Sequence, residues 1–244
     1  MASYINTNVG SLFAQKSLNA SQSAMQTSLQ RLSSGLRINS AADDATGLVN
    51  ATNYDSQIRG SNQAVRNAND GISTAQINDG YMAQMTENLQ RLRELAVQGG
   101  GSIASGNVEA TALVNENTRI LALANTNTST VVVDNVGGTV TTTGVKPVIS
   151  SATATGTVAN FDTALTNVNT ARAKYGADMA TFNSAINNLQ TQSVNLSAAK
   201  SRILDTDYAA ETANLTKNSI LQQAGNAMLA QANQLPNQVL TLLR

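Results

Sequence analysis

FDTALTNVNTARAKYGADMATFNSAINNLQTQSVNLSAAKSRI, residues 161–203, carries an apolar side chain at every seventh position: Phe161, Val168, Tyr175, Phe182, Leu189, Leu196 and Ile203. The positions four residues further on are Leu165, Arg172, Met179, Ile186, Ser193 and Lys200, and half of these are apolar too. Alternating steps of four and three keep one narrow stripe facing a partner, which is the seam of a coiled coil. As a single helix the segment spans roughly 65 Å at ~1.5 Å per residue. Globular helices are usually shorter. The stretch therefore predicts a mainly α, elongated fold of long paired helices, whose work is to pack against helices rather than to do chemistry.

Further stripes flank this one. Near the N-terminus stand Leu18, Met25, Leu29, Leu32 and Leu36, interrupted by Gly35 and then by Ser40-Ala41-Ala42-Asp43-Asp44. The two aspartates fit the cap and first turn of a new helix, where carboxylates meet free backbone N–H groups. That helix carries Ile58, Val65, Ala68, Ile72, Ala75, Met82, Met85, Leu89, Leu92 and Ala96, with a phase slip expected between Ile72 and Met85. Gly99-Gly100-Gly101-Ser102 ends it. A shorter helix is expected over 107–125. Thr130–Val133 and Thr139–Thr143 flank a Gly-rich turn and read as a small central hairpin at about 126–145. At the C-terminus Leu221, Ala224, Met228, Leu235, Val239 and Leu242 form a last stripe, with Pro236 inside it. Proline costs ~3 kcal/mol in a helix interior, so a kink or break is expected there. Each terminal stripe is too narrow to bury alone. Pairing them satisfies both, orders them on assembly, and leaves outer faces for other subunits.

Composition excludes most chemistry. The chain has no His, Cys or Trp, so a Ser-His-Asp triad, a Cys-His pair and the two best zinc ligands are all missing. Charged residues are only 12% of the chain, and the 15 basic and 15 acidic residues balance. Nucleic acid needs a clustered positive face and is not an expected partner. Low net charge lets identical copies stack without repulsion. No run of 18 apolar residues exists, so no membrane insertion is expected. The N-terminal Met1-Ala2-Ser3-Tyr4-Ile5-Asn6 lacks the basic and apolar regions of a cleaved signal peptide. Ser-Lys or paired-carboxylate catalysis stays open on composition, but no motif points to either, and no enzyme activity, metal or cofactor is expected.

Several long runs are specific. Leu29-Gln30-Arg31-Leu32-Ser33-Ser34-Gly35-Leu36-Arg37-Ile38-Asn39-Ser40-Ala41-Ala42-Asp43-Asp44 closely resembles the N-terminal signature of bacterial flagellins. So do Arg66-Asn67-Ala68-Asn69-Asp70-Gly71-Ile72 and Leu89-Gln90-Arg91-Leu92-Arg93-Glu94-Leu95. The C-terminal half resembles the family in Ser201-Arg202-Ile203-Leu204-Asp205-Thr206-Asp207-Tyr208, Ile220-Leu221-Gln222-Gln223-Ala224-Gly225 and Leu229-Ala230-Gln231-Ala232-Asn233-Gln234. Tyr208 stands where other members often have Phe. The central segment lacks the family's usual Phe-Asn-Gly hairpin sequence.

The resemblance implies a short flagellin, the repeating subunit of the extracellular flagellar filament that drives swimming. Residues 1–45 and 204–244 would form an inner coiled-coil domain. Residues 46–203 would form an outer helical domain with the hairpin, and no further surface domain fits. Leu18, Met25, Leu29, Leu32, Leu36, Leu221, Ala224, Met228, Leu235, Val239 and Leu242 would carry terminal packing between subunits. The implied partners are further copies, an export chaperone, and cap and junction proteins. Recognition by the vertebrate flagellin-sensing Toll-like receptor is implied at Gln90, Arg91, Glu94 and Leu95, with Glu116. Export would proceed without a cleaved signal peptide. The alternative is a hook–filament junction protein of the same architecture. Two sharper readings of short motifs fail on their own pattern. Asp205 and Asp207 resemble the start of a calcium loop, but position 209 is Ala and no glycine sits at the sixth place. Gly99–Gly101 is followed by no Lys-Ser/Thr pair that would hold a phosphate.

Overall fold

The structure, a computed structural model, describes residues 7–124, 130–132, 139–141, 147 and 153–242; for 130–132, 140–141 and 235–242 it describes the backbone only. Among these residues there are five helices: α1 (Val9–Ser34), α2 (Ala45–Gln98), α3 (Val108–Ala124), α4 (Val158–Leu204) and α5 (Tyr208–Leu242). Strands β1 (Thr130–Val132) and β2 (Thr139–Thr141) pair antiparallel, with Val131 opposite Val140. The expected turn between them, Asp134–Gly138, lies outside the described residues. The chain divides into two compact units, residues 1–54 with 198–244, and residues 55–197. The divisions fall within α2 and α4.

In the unit 55–197, α2 and α4 run antiparallel. Arg172 of α4 pairs with Asp79 of α2 at 2.8 Å, and Arg93 of α2 pairs with Asp162 of α4 at 2.6 Å. Phe161, Val168, Tyr175, Phe182 and Leu189 are buried, as the seven-residue repeat requires. Leu196 and Ile203 are half-buried. The positions fully buried between the large ones are Ala164 and Ala171, three residues on. The residues four further on, Leu165 and Met179 among them, are half-buried and widen the stripe.

The α2 seam corrects the sequence reading. Buried positions run Ser61, Ala64, Ala68, Gly71, Ala75, Asn78, Met82, Met85, Leu89, Leu92, Ala96, in unbroken steps of three and four. There is no phase slip. Ile58, Val65 and Ile72 sit half-buried on the flank, and small or polar residues occupy the seam itself. The reason is space: the bulky α4 side chains fill the gap where α2 is small. Asn78 and Ser61 are buried there without a hydrogen-bond partner among the described residues, for Asn78 at its Oδ1. Such groups cost about 1–3 kcal/mol each, which the surrounding apolar burial must offset.

Toward Gln98, α3 covers the pair. Ile120, Ala110 and Ala124 join Met82, Met85, Leu89, Leu92, Phe161 and Val168 in one core. Asn88 Nδ2 donates to Asn117 Oδ1 at 2.9 Å inside it. Helix α2 stops where the sequence predicts. Gly100 and Gly101 have φ of 78° and 111°, and Gly101 N–H donates to the Ala96 carbonyl at 2.9 Å. Only glycine adopts such angles without strain.

Candidate assembly surface

In the terminal unit, local chemistry sets where each helix begins and ends. Asn8 caps α1, its Oδ1 accepting from Ser11 N–H at 3.1 Å. Gly35, at φ 72°, ends α1 in the left-handed conformation, and its N–H donates to the Arg31 carbonyl at 2.8 Å. Asp44 Oδ1 accepts from Gly47 N–H at 2.9 Å and caps α2. Asp43 has a different task from the expected cap. Its Oδ2 accepts from Ser40 N–H, Asn39 N–H and Ser40 Oγ–H, closing the 39–43 turn. These bonds, the Ser40 backbone first, hold its carboxyl below the ordinary aspartate range. Asp207 caps α5, its Oδ1 accepting from Ala209 and Ala210 N–H.

The end of α4 is tied to the end of α1. Arg37 N–H donates to the Leu204 carbonyl at 2.6 Å, and its guanidinium donates to the Ile203 carbonyl at 2.8 Å. Thr206 N–H donates to the Gly35 carbonyl at 2.9 Å, and Leu36 bridges Asp205. Carbonyls left open at a helix C-terminus thus find partners, and a cation stands where the helix dipole favours it.

Helices α1 and α5 then pair along a heptad. On α1 the inward positions are Ser11, Ala14, Leu18, Ser21, Met25, Ser28 and Leu32. On α5 they are Glu211, Leu215, Asn218, Gln222, Gly225, Leu229 and Ala232. Ser21 Oγ–H donates to the Asn218 carbonyl at 3.1 Å, and a Cβ on Gly225 would lie 3.3 Å from Leu18 Cδ1. Arg31 approaches the buried Glu211 to 3.8 Å.

Leu18, Met25 and Leu32 lie in this seam, and Leu36 is half-buried at the bridge. Leu29 points away and is 50% exposed. The predicted α5 residues fall elsewhere. Leu221 and Met228 are 48% and 64% exposed, and Ala224 is also exposed. They stand beside the seam rather than in it, and with Phe13 and Leu18 they line an apolar groove of about 520 Å³. Phe13 is 71% exposed. The side chains of Leu235, Val239 and Leu242 lie outside the described residues. Sequence reasoning missed Ser21, Ser28, Asn218, Gln222 and Gly225, because a search for apolar stripes passes over small and polar residues. The signal was present in their three-four spacing. Helix α5 runs on through Pro236 to Leu242, so no break occurs there.

In the other unit, Gln90, Arg91 and Glu94 are exposed on α2. Arg91 pairs with Glu109 at 2.7 Å and Glu94 at 2.9 Å, and these bonds, Glu109 first, raise its pKa above the ordinary arginine range. Leu95 belongs to the core at 8% exposure. Glu116 lies on α3, bonded to Arg119, which holds its carboxyl below the ordinary range. No group of His, Cys, Asp and Glu able to hold a metal occurs among the described residues.

Comparison with known proteins agrees with these features. The bacterial flagellin N-terminal helical region matches residues 5–132, and the C-terminal helical region matches residues 158–243. The flagellar filament 33 kDa core protein of Treponema phagedenis is 37% identical, with 98% of this chain and 99% of the relative aligned. A flagellin of Halalkalibacterium halodurans is 37% identical and one of Bacillus subtilis 34%, each over 98% of this chain and 99% of the relative. Both ends match their regions in order and the relatives align end to end: the chain belongs to the bacterial flagellin family.

Proposed function

We propose that this chain is the repeating structural subunit of a flagellar filament, and not an enzyme. The observation that carries the reading is the exposed apolar surface of the terminal unit: Val9, Leu12, Phe13, Ile220 and Met228 are each 57–71% exposed. A soluble monomer gains nothing from such a surface. At roughly 25 cal/mol per Å², each ~100 Å² covered by a neighbour contributes about 2.5 kcal/mol. Contacts that repeat without closing build a helical polymer. Residues 1–45 and 204–244 then form the inner layer. Residues 46–203 form the outer layer, which carries the β1–β2 pair.

Family membership supports the remaining partners. The filament is extracellular, and the subunit leaves the cell through the flagellar export route with a chaperone. Cap and junction proteins meet the filament at its ends. Gln90, Arg91 and Glu94, exposed on one helix, supply the polar contacts of the vertebrate flagellin-sensing receptor. Leu95 supports that surface from beneath, and Glu116 adds to it from α3. Among the described residues no helix is long and apolar enough to cross a membrane. The junction-protein alternative is not favoured, since the relatives above are flagellins and a filament core protein. Electron microscopy of the purified protein after salting out tests the reading. Long helical filaments are expected, and a species that stays monomeric at high concentration would overturn it.

A further inference from the structure

Pro236 has no backbone N–H, so in a continuous helix the Ala232 carbonyl loses the donor four residues ahead. In this chain that carbonyl has a donor from elsewhere. Asn8 Nδ2, at the other end of the sequence, donates to Ala232 O at 2.7 Å. The Oδ1 of the same amide accepts from Ser11 N–H at 3.1 Å. The two bonds fix which way the amide faces, because one partner is a donor and the other an acceptor. One turn further along α1, Ser11 Oγ–H donates to Asn233 Oδ1 at 2.8 Å, in the same register.

We propose that Asn8 is a positioning residue with two ends: its oxygen starts α1, and its nitrogen replaces the donor that Pro236 removes from α5. The helix passes through a proline without a break because the N-terminus of the chain supplies the missing hydrogen bond. In turn the proline creates an acceptor that only the correctly registered α1 can satisfy, so it sets the alignment of the two terminal helices. An ordinary capping role requires only the oxygen. The amide is needed because Asp or Ser in its place offers a cap and no N–H donor of that reach.

The two roles predict opposite signs for one substitution. Asp caps as well as Asn, and its charge is favoured at a helix N-terminus. If Asn8 is a cap alone, Asn8→Asp is neutral or stabilising. If it is the two-ended residue, Asn8→Asp places a carboxylate against the Ala232 carbonyl and removes the donor. Leaving that acceptor unmatched then raises the concentration of free subunit in equilibrium with polymer roughly tenfold. Pro236→Ala returns the N–H to α5 and makes the Asn8 donor redundant.

The inference rests on the filament reading only for this measurement. Parent, Asn8→Asp, Pro236→Ala and the double variant are polymerised from seeds, and the free subunit is measured at equilibrium. The expected result is a large penalty for Asn8→Asp in the parent and a much smaller one beside Pro236→Ala. Equal penalties in both backgrounds, or none in the parent, overturn the inference. If the parent itself does not polymerise, the filament reading falls. The same four proteins are then compared as soluble chains by amide exchange over residues 9–34 and 208–234. Loss of protection in Asn8→Asp that Pro236→Ala restores supports the role of Asn8. No difference among the four, or no protection in any, sinks it.

Discussion

A Cβ placed on Gly71 of α2 would lie 2.8 Å from Cζ of Phe182 in α4. Real Cβ atoms essentially never come so close, so the ring occupies the space that any other residue would need. Ala68 lies in the same small cluster, with Ile72 and Ile186 beside it. At Phe182 the seven-residue repeat of α4 thus depends on a glycine opposite the ring.

Gly71→Ala is therefore expected to destabilise the 55–197 unit. Overpacking costs about 1–3 kcal/mol, and the better helix propensity of alanine returns about 1 kcal/mol. The net loss is up to about 2 kcal/mol, read by urea unfolding. Adding Phe182→Leu should recover part of it, and a Gly71→Ala protein more stable than the parent would refute the packing account.

Amide exchange of the dilute monomer should protect residues 55–197 far more than α1 and α5. The α1–α5 seam holds Ser21, Ser28, Asn218 and Gln222 where the other unit holds Met82, Leu89, Phe161 and Phe182. Two helices joined by so little apolar surface are marginal in water. Protection of α1 should rise in the polymer, and equal protection of both units in the monomer contradicts this.

Phe13→Ser and Met228→Ser should each weaken polymerisation without changing the stability of residues 55–197. Burial of either side chain by a neighbour is worth about 1.5–3 kcal/mol, so the free-subunit concentration should rise roughly tenfold or more. Sedimentation of polymer from monomer measures it. Unchanged values for both variants would mean that the groove stays empty in the polymer.

Acid should loosen the 39–43 turn. The Asp43 carboxyl is held below its ordinary value of 3.8 by the Ser40 and Asn39 backbone N–H groups. A depressed carboxylate stabilises the folded turn at pH above its unfolded value. That contribution disappears as pH falls below 3.8 and through the lower folded value. Asp43→Asn should flatten this part of the acid profile, followed by proteolysis within residues 38–44 between pH 5 and about pH 2. A profile identical to the parent assigns the acid response to other groups.

Periodicity alone marked a stripe on each of the described helices, because a long amphipathic stripe needs no tertiary information to be recognised. It did not set their bounds: α5 begins at Tyr208 and runs on through Pro236. Gly35 and Gly99–Gly101 marked two helix ends for the same local reason. Composition was enough to set aside His- and Cys-based chemistry. The partners of each stripe were decided elsewhere. Gly71 belongs to the α2 seam, and Ile72 to its flank, because the Phe182 ring fills the space between the helices there. Leu221 and Met228 face outward because Gly225 and Gln222 occupy the contact with α1. Pro236 stays within its helix because Asn8, 228 positions earlier in the chain, reaches the Ala232 carbonyl. Such choices depend on which side chains meet across helices far apart in sequence, and a one-dimensional pattern holds no record of those meetings.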